Sequence, residues 1–376
     1  MMRNQIEVMV NLVAVEINDK TMKILIMKLG MHYRPDPIIK HAALGEVDQI
    51  ANMFNKSGHS TKIITDEYCN DPKCIPIGSK MLLDEFDTLV IINGLVRPDM
   101  DLFNEMQYDI IDEFDGKVLF CLCDIALPLR KYSIKRDDII CITQAKLIDE
   151  VEDFLDDEYE GVPESYVFET GNYHHFPFYK FPIMTNEIME STFEYDLMYG
   201  GGFREGDRAV DMYEFYFDHL RFDSVMFGNI KESMFDTDKY DIAPEFHEPV
   251  HYDNFCEKMS TSMATVIISD PIYKVVGSLT QRIYESILAG CVTFIHDDVD
   301  PDHTIYGYHE PRFSDFLYVD DGNELSKKMA KIKNSDWLRR QVNDFARCRI
   351  LGDKTIDLNR KEFIDSFDEL INKILN

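Results

Sequence analysis

The chain has 376 residues, of which 45% are hydrophobic, and its formal net charge is -30. This length favours two or three packed units over a single core, and the apolar fraction excludes a disordered tail. The strong acidity opposes non-specific binding to nucleic acids, so any role on DNA requires a local basic patch.

No apolar run approaches the roughly 18 residues of a membrane span, and the N-terminus lacks the pattern of an export signal. The eight cysteines are scattered, which is typical of reduced thiols in a cytosol rather than of a secreted disulfide framework. We therefore expect a soluble, cytoplasmic protein without a membrane partner. Residues 1–21 precede the first clear strand pattern, and we interpret them as an N-terminal extension.

Strand-like and helical patterns alternate along the rest of the chain. Apolar strand patterns at 22–30, 61–65, 88–93, 117–124 and 139–143 are separated by helical patterns that include 45–57 and 102–113. This alternation predicts an α/β fold with a Rossmann-like domain over 22–194, including an aromatic and proline-rich linker. A second series predicts a similar domain over 195–350. The helical pattern in 351–376 predicts a C-terminal helix that returns to the first domain.

Ligands of open α/β sheets bind beyond the carboxyl ends of the strands, so residues that follow strand patterns are the first candidates. The glycine-rich segment YGGGFREGDR at 199–208 contains Arg204 and Arg208 and suits a diphosphate, although a tight turn with surface arginines explains it too. Arg282 and Glu285 lie three apart in a helical pattern. They can face the crevice together and bind phosphate and ribose, or simply form an ion pair.

Two acidic features also follow strand patterns. Partial desolvation of Asp124 would raise its pKa and make it a usable base, whereas the alternative is a helix N-cap. A later string could hold Mg²⁺ or Mn²⁺, although acidic turns after strands are common. Its members are Asp297, Asp298, Asp300, Asp302 and His303. The metal requirement stays open.

Four motifs occur in the order and approximate spacing of the DNA β-glucosyltransferases of T-even phages: CDIALP at 123–128, YGGGFREGDR, FGN at 227–229 and the segment 270–285. From about Met22 onward, the chain therefore resembles this family. The resemblance implies a GT-B fold, with the two Rossmann-like domains facing an interdomain cleft. It also implies inverting transfer of a sugar from a UDP-sugar to 5-hydroxymethylcytosine in phage DNA, in the host cytoplasm, which protects the DNA from host nucleases.

The resemblance also assigns roles to residues. Asp124 is the expected catalytic base, and Glu46 is expected near the sugar and acceptor. The expected donor-binding residues are Gly201, Gly202, Arg204, Arg208, Val250, Tyr273, Arg282 and Glu285. Gly202 replaces a family serine, and Tyr179 or Met184 replaces a family glutamate. The donor therefore stays open between UDP-glucose and another UDP-sugar such as UDP-arabinose.

The expected partner is double-stranded DNA that contains 5-hydroxymethylcytosine, bound by a monomeric enzyme with the target base flipped out of the duplex. A basic loop follows the expected catalytic base, and solvated loop charges are its simpler interpretation. The candidate DNA-binding residues in it are Arg130, Lys131, Lys135 and Arg136. The acidic stretch 149–160 is interpreted as a solvated helix face or loop.

Two other functions stay open at this point. A GT-B transferase acting on a small molecule, a glycan or a protein is favoured by the net charge of -30, which opposes the approach of DNA. A non-catalytic nucleotide-sugar-binding protein is the second alternative, and the set of candidate catalytic residues argues against it.

Overall fold

The computed structural model describes most of both predicted domains. The described residues are 21–29, 42–65, 71–76, 83–93, 101–122, 136, 138–144, 173–180, 192–202, 207–218, 222–236, 243–269, 273, 277–307 and 311–375. The predicted N-terminal extension at 1–21 and the acidic stretch at 149–160 lie outside them.

The strands described before residue 180 form one parallel sheet in the order β3-β2-β1-β4-β5-β6-β7. The strands are β1 (Lys23–Leu29), β2 (Ser60–Thr65), β3 (Cys74–Pro76), β4 (Thr88–Asn93), β5 (Lys117–Leu122), β6 (Ile140–Thr143) and β7 (Tyr173–His175). The order reverses between β1 and β4, which is the place where doubly wound sheets open a ligand crevice.

Both faces of this sheet are covered, which explains why its strands are almost continuously apolar. On one face, Ile24 and Ile26 pack against Val47 and Phe54 of helix α1 (Ala42–Lys56). On the other face, Leu25 and Met27 join a core that includes Tyr108 and Ile111 of helix α2 (Asp101–Glu113).

The strands described after residue 190 form a second parallel sheet in the order β10-β9-β8-β11-β12-β13. The strands are β8 (Tyr195–Gly202), β9 (Ser224–Asn229), β10 (Glu245–His247), β11 (Ser262–Ile267), β12 (Val292–His296) and β13 (Tyr318–Val319). Here the order reverses between β8 and β11, so a second crevice is expected at the carboxyl end of β8.

Helices cover the second sheet and then return to the first. They are α3 (Asp207–Tyr213, continued by a π-helix at Glu214–Asp218), α4 (Phe255–Ser260), α5 (Arg282–Leu288), α6 (Pro311–Leu317), α7 (Gly322–Lys333), α8 (Asp336–Leu351) and α9 (Ile356–Leu375). Helix α9 buries Ile364, Phe367 and Ile371 in the α1 face of the first sheet. The ring of Phe367 lies edge-on to Phe54, with 5.0 Å between the centroids.

The structure confirms the predicted α/β class and its two parallel sheets. The sequence patterns missed the strands β3, β7 and β10, each of which has three residues. A strand of three residues is too short to show a period, and β7 lies in the segment that was interpreted as linker. Among the described helices, none combines the length and the apolar character that a membrane crossing requires.

Candidate active site

Three consecutive glycines form the carboxyl end of β8 at the second crevice. A Cβ atom on Gly200 would lie 2.4 Å from the Phe255 ring and 2.7 Å from Nη1 of Arg282. A Cβ atom on Gly228, whose φ is +149°, would overlap the carbonyl oxygen of Gly201 at 1.5 Å. Glycine is therefore required at both positions, one for the approach of Arg282 and the other for the close pairing of β8 with β9.

Arg282 begins helix α5 and is held over this strand end from three sides. Its Nη1 donates to the carbonyl oxygen of Gly200 at 2.5 Å, and its guanidinium carbon lies 4.0 Å from the centre of the Phe255 ring. Its Nε lies 3.1 Å from Oε2 of Glu285. The side chain is still 23% exposed, so the cation is fixed in position and accessible to an anionic ligand.

Glu285 is buried beside Arg282, one helical turn further along α5. The positive charge of Arg282 is the main attraction that Glu285 experiences in this pair. Burial raises the pKa of the Glu285 carboxyl, and the charge of Arg282 opposes part of that shift. A carboxylate held there can accept hydrogen bonds from vicinal hydroxyl groups, which is the chemistry that ribose recognition requires.

The structure also describes three other expected donor-binding residues, Gly202, Val250 and Tyr273. Gly202 ends β8, and a Cβ atom there would meet no other atom of the described residues within 4 Å, which leaves the backbone open to a ligand on that side. Val250 is partly buried against the same core cluster as Phe255. The carbonyl oxygen of Tyr273 accepts from the backbone N–H of Ser278 at 3.0 Å. Arg208 lies in α3, but its side chain is outside the described part of the chain.

Glu46 lies at the crevice of the first sheet, as a side chain of helix α1. Its Oε2 is 2.5 Å from Nζ of Lys28, which projects from the end of β1. The Lys28 side chain is 1% exposed and that of Glu46 is 14% exposed. The amide of Gln107 donates to the carbonyl oxygen of Lys28 at 3.2 Å and completes the local network.

Helix α1 also contacts two segments of the second domain, which we call the donor segments because they contain the expected donor-binding residues Val250 and Arg282. The hydroxyl group of Tyr252, two residues beyond Val250, donates to Oδ2 of Asp48. The amide of Gln281, immediately before Arg282, donates to Oε1 of Gln49 at 3.1 Å. Burial, and then the charge of Asp48, raises the pKa of the Tyr252 phenol. These contacts bring the helix of Glu46 and the two donor segments together across the cleft.

Arg136, one of the expected DNA-binding residues, forms hydrogen bonds within the protein. Its guanidinium group donates to the carbonyl oxygens of Ile111, Phe114 and Gly116 around the end of α2, and to both carboxylate oxygens of Asp138. These bonds use all five N–H donors of the side chain. Arg136 therefore caps a helix terminus, and its contact with DNA phosphate stays a prediction.

The acidic string after β12 is also occupied by contacts within the protein. Asp300 is 3% exposed and accepts hydrogen bonds from Thr304, from the backbone N–H of Ile305 and from the hydroxyl group of Tyr318. Partial burial and the neighbouring Asp320 raise the pKa of Asp297 to about 6. Nowhere in the described ranges do three or more His, Cys, Asp or Glu side chains form a metal-binding group. These acidic residues therefore do not form a metal-binding group of their own.

Tyr179 occupies one of the two positions that were compared with the family glutamate. It is 5% exposed, and its ring centroid lies 6.0 Å from that of Tyr284 on α5. Burial, followed by the charge of Asp300, raises the pKa of its phenol. The tyrosine therefore packs the linker against the second domain, whereas Met184 lies outside the described residues.

Several expected site residues lie in ranges that the structure does not describe. They are Asp124, Arg130, Lys131, Lys135 and Arg204. Sequence reasoning in turn missed Phe255, Lys28 and Tyr252, which contact candidate residues or the segments that hold them. Of these residues, only Lys28 could have been found from the sequence. It is a lysine inside an otherwise apolar strand, and a buried charge requires a partner.

The chain is similar to known proteins in sequence and in fold. No protein-family model matches the chain. The chain is 24% identical over 281 residues to the DNA β-glucosyltransferase of Enterobacteria phage T4, an alignment that covers 69% of this chain and 76% of the relative.

Solved structures extend the similarity to almost the whole chain. A structure of the T4 phage β-glucosyltransferase matches with a TM-score of 0.74 and 20% identity, covering 94% of this chain and all of the other. An α-glucosyltransferase in complex with UDP and a 13-mer DNA matches with a TM-score of 0.59 and 13% identity, covering 92% and 99% of the two chains. The GT-B fold and the resemblance to the phage DNA β-glucosyltransferases, both predicted from four sequence motifs, are therefore confirmed.

Proposed function

We propose that the protein is a glycosyltransferase that moves glucose from UDP-glucose to the hydroxymethyl group of 5-hydroxymethylcytosine in double-stranded DNA. The observation that carries this proposal is the arrangement of Gly202, Arg282 and Glu285 at the crevice of the second sheet. It offers an open backbone, an anchored cation and a buried carboxylate to one nucleoside diphosphate. The similar T4 enzyme has been solved with its UDP-glucose substrate and acts on DNA.

The proposed reaction is a single displacement with inversion. The hydroxymethyl oxygen attacks the anomeric carbon as the bond to the UDP oxygen breaks, and Asp124 takes the hydroxymethyl proton. Arg282, with Arg204 and Arg208, compensates the negative charge that develops on the departing diphosphate. Because C5 substituents lie in the major groove, we propose that the nucleotide is flipped out to reach the cleft.

The biological setting is part of the same proposal. A monomeric, phage-encoded enzyme would act in the host cytoplasm, and the sugars would protect the DNA from host nucleases. With Arg136 engaged in a helix cap, we propose that Arg130, Lys131 and Lys135 carry the phosphate contacts near Asp124. A chain with a net charge of -30 needs such a local patch to bind DNA.

The test is to incubate the protein with a hydroxymethylated duplex and UDP-glucose, and to measure the masses of the product nucleosides. A hexose added to hydroxymethylcytosine is the expected product. Asp124→Asn should lower turnover roughly 100-fold or more while UDP-glucose binding persists. Parallel reactions with UDP-arabinose and with unmodified duplex control for donor and acceptor. If the folded protein yields no glycosylated nucleoside with any common UDP-sugar, the proposal is wrong.

A second candidate is a transferase for a small molecule, a glycan or a protein, and the strong negative charge favours it. Binding of UDP-glucose without binding of duplex at low salt would support this alternative, because phosphate contacts are strongest at low ionic strength.

A further inference from the structure

The ion pair between Lys28 and Glu46 lies where the first sheet opens its crevice. Lys28 is near the carboxyl end of β1, beside the reversal of strand order between β1 and β4. Its Nζ approaches Oε2 of Glu46 at 2.5 Å, and the lysine side chain is almost completely buried. Because Lys28 is near the carboxyl end of β1, the pair lies at the edge of the sheet where ligands of such folds bind.

Stability alone does not account for a lysine at this position. Two and four positions earlier on the same strand face, Ile26 and Ile24 pack in the apolar core beneath α1. A buried ion pair loses so much hydration that apolar residues of similar volume are often equally stable or better. An apolar side chain at position 28 would continue the core, so the charged pair is better explained by what it does for Glu46.

Lys28 holds the carboxylate of Glu46 in one place. A hydrogen bond between an ammonium group and a carboxylate is a strong contact, and it restricts the rotamers of a flexible side chain. Glu46 keeps 14% of its side-chain exposure, so the anchored carboxylate still reaches the cleft. The same helix contacts the donor segments through Asp48 and Gln49, which brings Glu46 to the donor side of the cleft.

We propose that Lys28 is a positioning residue for the transferred sugar. It anchors Glu46 so that the carboxylate accepts hydrogen bonds from hydroxyl groups of the hexose of UDP-glucose. This inference rests on the proposed function, because it takes a UDP-sugar as the donor. It deepens that function by assigning recognition of the hexose to the first domain, apart from recognition of UDP by Arg282 and Glu285.

The test compares the affinities for UDP and for UDP-glucose, measured by calorimetry without any acceptor. In the wild type, the hexose should add affinity beyond that of UDP. Lys28→Met should leave UDP affinity unchanged and lower UDP-glucose affinity and kcat/KM about 10- to 100-fold, the expected effect of losing a charge-assisted hydrogen bond. Lys28→Arg, which restores the charge, should recover part of the loss.

Two further variants separate positioning from a general structural effect. Lys333→Met breaks a lysine–carboxylate contact with Asp196 that has the same 2.5 Å length but lies at the surface of the second domain, and it should change neither affinity. The double variant Lys28→Met with Glu46→Gln should be no worse than Glu46→Gln alone, because both remove one interaction. If Lys28→Met does not fold, Lys28→Gln replaces it in this comparison of single and double variants.

The outcomes are distinct. Unchanged UDP-glucose affinity in Lys28→Met and Lys28→Gln, or losses that simply add to those of Glu46→Gln, would overturn the positioning role. A wild type that prefers UDP-glucose over UDP, and loses this preference in Lys28→Met, supports the role whatever the acceptor. Failure to glycosylate hydroxymethylated DNA would then contradict only the proposed acceptor.

Discussion

Replacing Arg282 with alanine should separate the binding role of this residue from its effect on Glu285. The change removes the cation that lies 2.5 Å from the carbonyl oxygen of Gly200 and 3.1 Å from Glu285. A hydrogen bond to a charged group contributes roughly 1.5 to 3 kcal/mol, so UDP should bind about 10- to 150-fold more weakly. Calorimetric titration of UDP measures this loss directly.

The same variant should lose stability in a pH-dependent way. Burial raises the pKa of Glu285 in the folded protein, and Arg282 opposes that shift, so the pKa should rise further without the arginine. A carboxyl group whose pKa is raised by folding favours the folded state at low pH, and this contribution is lost as pH rises through the folded pKa. The stability deficit of Arg282→Ala should therefore be larger at pH 8 than at pH 5. At pH 8 we expect the lower end of the roughly 3 to 5 kcal/mol that breaking a buried pair costs, because Arg282 is partly exposed.

Two controls make this prediction testable by urea unfolding. Adding Glu285→Gln to Arg282→Ala should remove the pH dependence of the deficit, because the titrating group is gone. Arg312→Ala, a change at an exposed arginine on α6, should alter neither UDP affinity nor the pH profile. Unchanged UDP affinity in Arg282→Ala, or a deficit that is equal at both pH values, would refute the reasoning.

Three more predictions follow from other contacts. Arg136→Met should lower the free energy of unfolding by roughly 2 to 4 kcal/mol in urea titrations, because the residue caps α2. DNA affinity should be unchanged, and reduced DNA affinity would instead support the predicted phosphate contact of Arg136. Tyr252→Phe should raise the KM for UDP-glucose about 3- to 10-fold by removing the donor to Asp48. Tyr195→Phe is its matched control, and equal KM values in the two variants would contradict an interdomain role. Asp300→Asn should destabilise the fold by about 1 to 3 kcal/mol, equally with and without Mn²⁺ in thermal melts; a stabilising effect of Mn²⁺ that the variant loses would indicate a metal site.

The fold was predictable because the apolar residues of long strands and amphipathic helices recur in patterns that are visible in the sequence. Strand β4 occupies the predicted residues 88–93, and α1 differs from its predicted pattern mainly by starting three residues earlier. Strand β10 was missed because three residues at a sheet edge bury little and show no alternation. Pairing with β9, a contact that is distant in sequence, forms this strand.

The candidate site was predictable only where a local spacing determines geometry. The three-residue spacing of Arg282 and Glu285 correctly predicted that both lie on one side of a helix, and it left open whether they pair or face the crevice. The structure shows the ion pair, and also the contact of Arg282 with Gly200. The helix-capping contacts of Arg136 were not predictable, because nothing in the sequence reveals that the end of α2 presents carbonyl oxygens to it.

The return of helix α9 to the first sheet has a consequence for how the protein folds during its synthesis. Phe54 and Phe176 have left the ribosome long before Phe367, yet the three rings share one core. Until α9 has been made, the α1 face of the first domain lacks part of its apolar cover, and such incomplete intermediates expose aggregation-prone surface. The second domain, whose strands all lie between β7 and α9, is free to fold earlier. A first domain expressed without α9 would therefore leave these aromatic rings uncovered.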